Sequence, residues 1–456
     1  EPWVFDYRRT TIPACTVSEN AEEYFALMAS DESPLSLQAS CSMIPQEDGS
    51  MAHRLLYPCI ERPKTYCTRD GYAPAHEEFV TIEPKGTVKT ECFLLSGKPV
   101  FPNFGTAAAE DAALELMGSP FASAYTAKET AELACEFAKR LVVETNGRKM
   151  FSIGQLPDEE GRFENREGHE FGWCGQNGMY SRLFLERGLK KGDQELIDIA
   201  VSNLDAWSHE AVEGTGLIHT HYHWMLSGES DVEDTCILEL TKAWEAARMA
   251  GLVKPDWLKA AKGVAEFFMA HWSEQSGFGK AWNVKTGECA DPEGTIGAYL
   301  IPGLVELYLA EGDARFLEAA RRACRFYRDR DLAAFQCTAG ALDTYCIDKE
   351  SSGPLLAGSL ALYELDGTQE WLECAKIAGW YFCSWMFHHD TIPRKDSDFA
   401  RYGYRTLGGT SVSAQHHHID PWGALVVPQI VRLWKITGDA HWRKRAVLLW
   451  ANAVQN

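Results

Sequence analysis

Along the last three quarters of the chain, apolar residues recur at helical spacing, broken at regular intervals by polar punctuation. The pattern predicts five amphipathic helices at 193–210, 256–274, 313–330, 368–387 and 439–454. A second helix precedes each of them, at 177–190, 234–250, 294–310, 354–366 and 421–436. This second set is richer in small and apolar residues, as in Ala357-Gly358-Ser359-Leu360-Ala361-Leu362, and suits an inner layer where backbones approach closely. Two further helices are predicted ahead of the pairs, at 107–117 and at 126–145, the latter opening at Thr126.

One junction recurs between paired helices. It reads Leu189-Lys190-Lys191-Gly192-Asp193-Gln194-Glu195-Leu196, then Leu309-Ala310-Glu311-Gly312-Asp313-Ala314-Arg315-Phe316. Further copies are Leu365-Asp366-Gly367-Thr368-Gln369-Glu370-Trp371 and Ile436-Thr437-Gly438-Asp439-Ala440-His441-Trp442, and Gly251-Leu252-Val253-Lys254-Pro255-Asp256-Trp257 is a divergent one. Gly closes the first helix in a left-handed cap. Asp or Thr caps the next helix, and an apolar residue takes its first inward position. Gly192, Gly251, Gly312, Gly367 and Gly438 are 59, 61, 55 and 71 residues apart, so one repeat is a helical pair with one short and one long connection. Counting the segment 107–117 as the sixth inner helix gives an (α/α)6 toroid; an open five-pair solenoid is the alternative.

Residues 1–104 read differently. The stretch 78–95 predicts two strands around a turn at Pro84-Lys85-Gly86. Residues 1–60 carry several short strands and one helix near 20–29. The expected organisation is a β-rich segment over 1–104, part of a sandwich, followed by a helical catalytic domain over 105–456. The alternating helices, the Gly-Asp junctions and the preceding strands resemble the six-hairpin glycosidase superfamily. That resemblance covers about 105–456 and implies an (α/α)6 barrel whose long loops process a carbohydrate, without assigning a family within it.

Composition narrows the partners. The formal net charge of -21 argues against nucleic acid, whose phosphates demand basic patches, and against an anionic membrane. The 14 cysteines show no CxxC and no short-spaced framework, and many fall in helical segments, which reads as reduced, buried thiols. There is no signal-peptide pattern and no transmembrane run of apolar residues. The expectation is a cytoplasmic enzyme, with a periplasmic or secreted location open because the chain begins at Glu1-Pro2 without Met. The oligomeric state is not legible.

With the short junctions at one end of such a barrel, the long connections 146–176, 211–233, 275–293, 331–353 and 388–420 gather at the other, and connections of this length are usually functional. They are rich in aromatics, carboxylates and His, the mixture a sugar site needs: flat rings for the pyranose face, polar groups for its hydroxyls. Hydrolysis needs two carboxyl groups, one protonated and one ionised. Asp420-Pro421 and Asp291-Pro292 read as helix caps, and Asp234 opens an inner helix in the same way. Asp348 and Glu350 escape that discount, because Ser351, Ser352 and Gly353 already supply a cap and Pro354 the first turn. They form the leading catalytic pair, followed by Asp234 and by Glu170. The competing reading of Asp348 and Glu350 is solvated loop charge. Substrate contacts are assigned to His221, His223, Trp224, Trp173, Trp282, Tyr345, Arg401, Arg405, His416, His418 and Trp422.

His219-x-His221-x-His223 would put three imidazoles on one face of a strand, and three nitrogen ligands would suit Zn²⁺. Neither this run nor His416-His417-His418 has a Cys or carboxylate at a fixed ligand spacing, so no metal and no cofactor are expected. Arg394, Lys395, Arg401 and Arg405 form a basic cluster in an acidic chain, and one bidentate Arg could grip a uronic acid. The reading is therefore a glycoside hydrolase acting on an oligosaccharide, one that is acidic or plant-derived. A polysaccharide lyase or sugar epimerase on the same barrel is the alternative, and a non-catalytic glycan-binding protein is a third.

Overall fold

The computed structural model describes residues 2–30, 38–63, 65–68, 71–118, 121–158, 160, 162–172, 176–223, 225–339, 346–414 and 419–455. In chain order its helices are α1 Thr106–Leu116, α2 Ala127–Arg140, α3 Asn177–Lys191, α4 Gln194–Asp205, α5 Ile237–Met249, α6 Pro255–Ala270 and α7 Leu300–Glu311. They continue with α8 Ala314–Tyr327, α9 Ser352–Asp366, α10 Gln369–Ser384, α11 Asp398–Tyr402, α12 Gly423–Thr437 and α13 Ala440–Ala453. The chain divides into two compact units. One comprises Glu1–Tyr125, Arg330–Leu356 and Leu372–Asn456, and the other Thr126–Asp329 and Ala357–Trp371.

The repeated junctions fold as their chemistry dictates. Gly192, Gly251, Gly312, Gly367 and Gly438 all lie at φ between 68° and 78°, where a side chain would be strained. Asp193, Asp313 and Asp439 accept hydrogen bonds from the amides of Leu196, Arg315 and His441. The apolar residue that follows is buried in every copy: Leu196, Trp257, Phe316, Trp371 and Trp442. These residues anchor one helix of each pair to the core.

In the unit built on Thr126–Asp329, α3 pairs with α4, α5 with α6 and α7 with α8, while α3, α5 and α7 pack on one another in succession. Small residues permit that inner contact. A Cβ on Gly303 of α7 would lie 2.2 Å from Ile237 Cγ1 at the start of α5. One on Gly358 would lie 2.5 Å from Ile301 Cγ2, and one on Gly178 would lie 2.7 Å from Cys236 Sγ. Gly303→Ala is expected to destabilise the protein by about 1–3 kcal/mol through overpacking, read as a lowered urea midpoint.

The other unit carries two three-stranded antiparallel sheets. One is formed by Phe5–Asp6, Ser40–Pro45 and Met51–Leu56, the other by Thr16–Glu19, Tyr24–Ala29 and Cys92–Gly97. Tyr24, Ala26 and Met28 of the second sheet pack with Ala109 and Ala113 of α1. In the same unit α12 pairs with α13.

Several predicted boundaries are corrected. The helix expected near 20–29 is a strand, because Asn20 caps a turn through the amides of Glu22 and Glu23 and the buried residues then alternate. The hairpin at Pro84-Lys85-Gly86 keeps its turn, with the Gly86 amide donating to the Glu83 carbonyl, but only Cys92–Gly97 of its arms is a strand. The helix predicted over 126–145 stops at Arg140. Val142–Thr145 instead pairs with Arg148–Phe151 across Asn146-Gly147, both at positive φ as this hairpin turn requires. The helices expected from 234 and 294 begin later, at Ile237 and Leu300, each behind a short 3₁₀ turn.

Candidate functional site

Three short ladders in the unit built on Thr126–Asp329 bring separate loops together. His169–Glu170 pairs antiparallel with His221–Tyr222, which sets Glu170 opposite His221. Glu229–Asp231 pairs with Ala281–Asn283, and that strand pairs in turn with Cys289–Asp291. The two sets are stitched at Thr220, whose hydroxyl accepts from the Asp231 amide at 3.1 Å and whose carbonyl accepts from the Phe171 amide. Asp231 is thereby brought beside His221. A 3₁₀ turn over Val232–Asp234 then carries Asp234 inward, and Cys236 at φ 49° turns the chain into α5.

The result is one imidazole surrounded by acids. His221 Nε2 donates to Asp231 Oδ2 at 2.6 Å and lies 3.5 Å from Asp234 Oδ2. On the opposite edge of the ring, Nδ1 lies 3.6 Å from Glu170 Oε1. The side chains of His221 and Asp231 are 35% and 17% exposed, whereas Asp234 is 2% exposed. Burial pulls the His221 pKa down, but hydrogen bonds to Asp231 and Glu170 and the charge of Asp234 overcome it and raise it to about 11. Burial and the charge of Glu233 lift Asp234 well above the usual carboxylate range. Burial and the charge of Asp231 raise Glu233 to about 8. A Cβ on Gly172 would lie 2.8 Å from Asp234 Oδ1, so this close approach needs glycine.

Asn177, at the first turn of α3, fixes the loop that carries Glu170. Its Nδ2 donates to the carbonyls of Phe151 and Glu170, and its Oδ1 accepts from the Phe151 amide and from Asn203. Asn177→Ala is expected to cost about 2 kcal/mol or more, because it strands several buried polar groups at once. A thermal denaturation series would show it.

The three histidines predicted to share a strand face have three different surroundings. Only His221 meets the acids. His219 is buried, with Nε2 2.8 Å from Glu213 and Nδ1 on the Ser227 carbonyl. His223 sits at the rim, 3.3 Å from Glu167. Trp282 is a packing residue: its indole donates to the Phe278 carbonyl and its ring meets Phe267 and Phe268 edge-on. Asp234, expected to open a helix, makes no capping hydrogen bond to α5. Trp173, Trp224, Tyr345, His416 and His418 lie outside the described residues.

Asp348 and Glu350 fall in the other unit. Asp348 is fully buried, and its carboxylate accepts from the amides of Ala339 (2.6 Å) and Glu350 (3.0 Å). It ties the backbone at Ala339 to that at Glu350, so Asp348 is a buried, backbone-engaged carboxylate and not a solvated loop charge. Lys349 pairs with Asp420, whose other oxygen accepts from the Trp422 amide. Glu350 is buried beside them. The basic cluster is dispersed: Arg405 pairs with Asp390 and stacks over Phe121, and Arg401 is exposed beside Asp398. Arg394 and Lys395 are exposed.

Asp231 and Asn177 were not singled out from the sequence. Neither has a local signature, since each acts through partners in another element, seven or more positions away. No helix among the described residues is long and apolar enough to cross a membrane.

No known protein family matches the chain. No curated protein matches it either. Solved structures do. A D-mannose isomerase superposes with a TM-score of 0.51 at 13% identity, over 73% of this chain and 88% of that one. The cellobiose 2-epimerase of Bacillus thermoamylovorans B4167 gives 0.50 at 10% identity, over 71% and 85%. A GH76 alpha-mannanase of Bacteroides thetaiotaomicron gives 0.46 at 12% identity, over 76% and 82%. The isomerase and the epimerase show that the fold is an (α/α)6 toroid.

Proposed function

We propose that this chain is a carbohydrate-active enzyme that moves protons on a free sugar, as an isomerase or epimerase, at the cluster of Glu170, His221, Asp231 and Asp234. The observation that carries this reading is the single imidazole bracketed by carboxylates on both ring edges. Glu170 and Asp231 both address His221, so no gap between them awaits a glycosidic bond. Such a group suits proton transfer at a sugar oxygen, with a neighbouring carboxylate taking or returning the proton on carbon. The D-mannose isomerase and the cellobiose 2-epimerase that share the fold carry out reactions of this class, as their names say.

Hydrolysis is the second reading, and the closeness of two carboxyl groups favours it. The ligand oxygens of Asp231 and Asp234 lie within 4.8 Å of one another, and glycoside hydrolysis works through a pair of carboxyl groups. One experiment separates the two. The protein is incubated with free aldoses, ketoses and disaccharides in D₂O, and with aryl glycosides and uronides, under NMR and ultraviolet observation. New sugar isomers with deuterium at C1 or C2 support the first reading. Aglycone release without isomerisation replaces it with the second. New ultraviolet absorbance reports a lyase and overturns both.

A further inference from the structure

The same cluster has the layout of a metal site. His221 Nε2, Asp231 and Asp234 each present a ligand atom, and these atoms lie within 4.8 Å of one another. The far side of the ring faces Glu170 at 3.6 Å. A carboxylate behind a histidine whose other nitrogen faces outward acids is the arrangement that orients metal-ligating imidazoles. A second observation is independent of the count of acids. Asp234 is almost wholly buried, its Oδ2 is aimed at His221 Nε2, and its Oδ1 makes no hydrogen bond among the described residues. Glu233 Oε2, on the same turn, is likewise buried without a hydrogen-bond partner among them. Carboxylate oxygens buried in this way are costly unless they take up a proton or a cation meets them, and a cation at His221 Nε2 would meet Asp234 directly.

We propose that His221, Asp231 and Asp234 bind one divalent first-row transition ion, which displaces the proton of His221 Nε2 to solvent, with Glu170 as the positioning residue that accepts from Nδ1 behind the imidazole. This rests on the cluster assigned under Proposed function and deepens it, since a bound ion would take over from His221 the polarising of a sugar oxygen. The geometry is close to what such an ion needs. Bonds of about 2.0–2.2 Å in a tetrahedron put ligand atoms roughly 3.3 Å apart. His221 Nε2 and Asp234 Oδ2 are 3.5 Å apart, and the 2.6 Å contact to Asp231 must open by roughly 0.7 Å, within reach of a side-chain rotation. One imidazole with two carboxylates matches Zn²⁺ or Mn²⁺ better than Ca²⁺, which prefers an all-oxygen shell.

The test uses the full chain, stripped with chelator and titrated with Zn²⁺ and with Mn²⁺ by calorimetry, with bound ion counted by mass spectrometry after dialysis. One ion per chain is expected. Asp231→Asn and Asp234→Asn should each weaken binding at least tenfold, and Glu170→Gln by about 10–100-fold. Circular dichroism establishes that each variant is folded. Asp231, part-exposed, keeps the test open should the buried Asp234 variant not fold. Failure of the folded wild type to retain an ion, or undiminished affinity in Asp231→Asn, overturns the proposal. Chelated protein that holds no ion yet interconverts sugars at the full rate overturns the ion's part in the reaction. Stoichiometric ion binding beside silence on every sugar leaves the ion site standing and overturns the proposed reaction.

Discussion

Asp231→Asn is expected to lower kcat/KM on the sugar by about 10²–10⁴-fold while leaving the fold intact, and His221→Gln is expected to do the same. Asp231 is part-exposed, and its backbone is held by pairing with Ala281 and by the Thr220 hydroxyl, so the amide variant keeps the ladder. What it loses is the negative charge on His221 Nε2. The loss should fall on kcat more than on KM, because the interaction is strongest when charge develops on the substrate. Steady-state kinetics on the sugar identified by the NMR panel would measure it. Wild-type kcat/KM in a folded Asp231→Asn protein would remove the cluster from the reaction.

Arg445→Met is expected to destabilise the protein by about 3–5 kcal/mol. Arg445 is fully buried on α13 and reaches α1, 335 positions from Glu110, donating to Asp111 at 2.8 Å and to Glu110 at 3.3 Å. Its guanidinium also stacks over Trp380, 4.4 Å from the ring centroid. Removing it leaves the carboxylate of Glu110, also buried, without its cation. A urea denaturation series would read the loss, and a midpoint within experimental error of wild type would show that the pair holds nothing together. The same site sets a pH dependence. Burial pushes the Glu110 pKa from 4.5 to about 7, against the pull of Arg445. The folded chain therefore holds this proton more tightly than the unfolded one, and the stability it contributes is present below about pH 4.5 and lost as the pH rises through 7. The change is about 3 kcal/mol at 1.36 kcal/mol per pKa unit. Glu110→Gln should flatten that slope.

The helical scaffold was legible because its determinants are local. A left-handed Gly, a capping Asp and a buried Trp or Phe sit within about six positions, and each acts through hydrogen bonds or contacts along one helical turn. The small residues of Ala357-Gly358-Ser359 announced close inner packing for the same reason: absence of bulk is visible without knowing the neighbour. Errors arose where a local signal had two readings. The segment near 20–29 has the composition of a helix, and its pairing with Thr16–Glu19 on one side and Cys92–Gly97 on the other makes it a strand. The Asn146-Gly147 hairpin was available to sequence reading but was overridden by the helical period before it.

For the candidate site, the sequence by itself determined which loops are rich in acids, His and aromatics, and it singled out Glu170, His221 and Asp234. It could not determine that Asp231 completes the group, or that Asp348 spends its carboxylate on two backbone amides. Those outcomes depend on ladder register. Pairing of Glu170 with His221 brings side chains from segments some fifty residues apart to 3.6 Å, and pairing of Asp231 with Ala281 holds the acid that His221 Nε2 meets. A slip of one residue would turn each of them to the opposite face. Periodicity within one helix or strand reports the face a residue takes in its own element. Which residues meet across elements is decided only when those elements are packed, and that is where this cluster of acids around one imidazole comes into being.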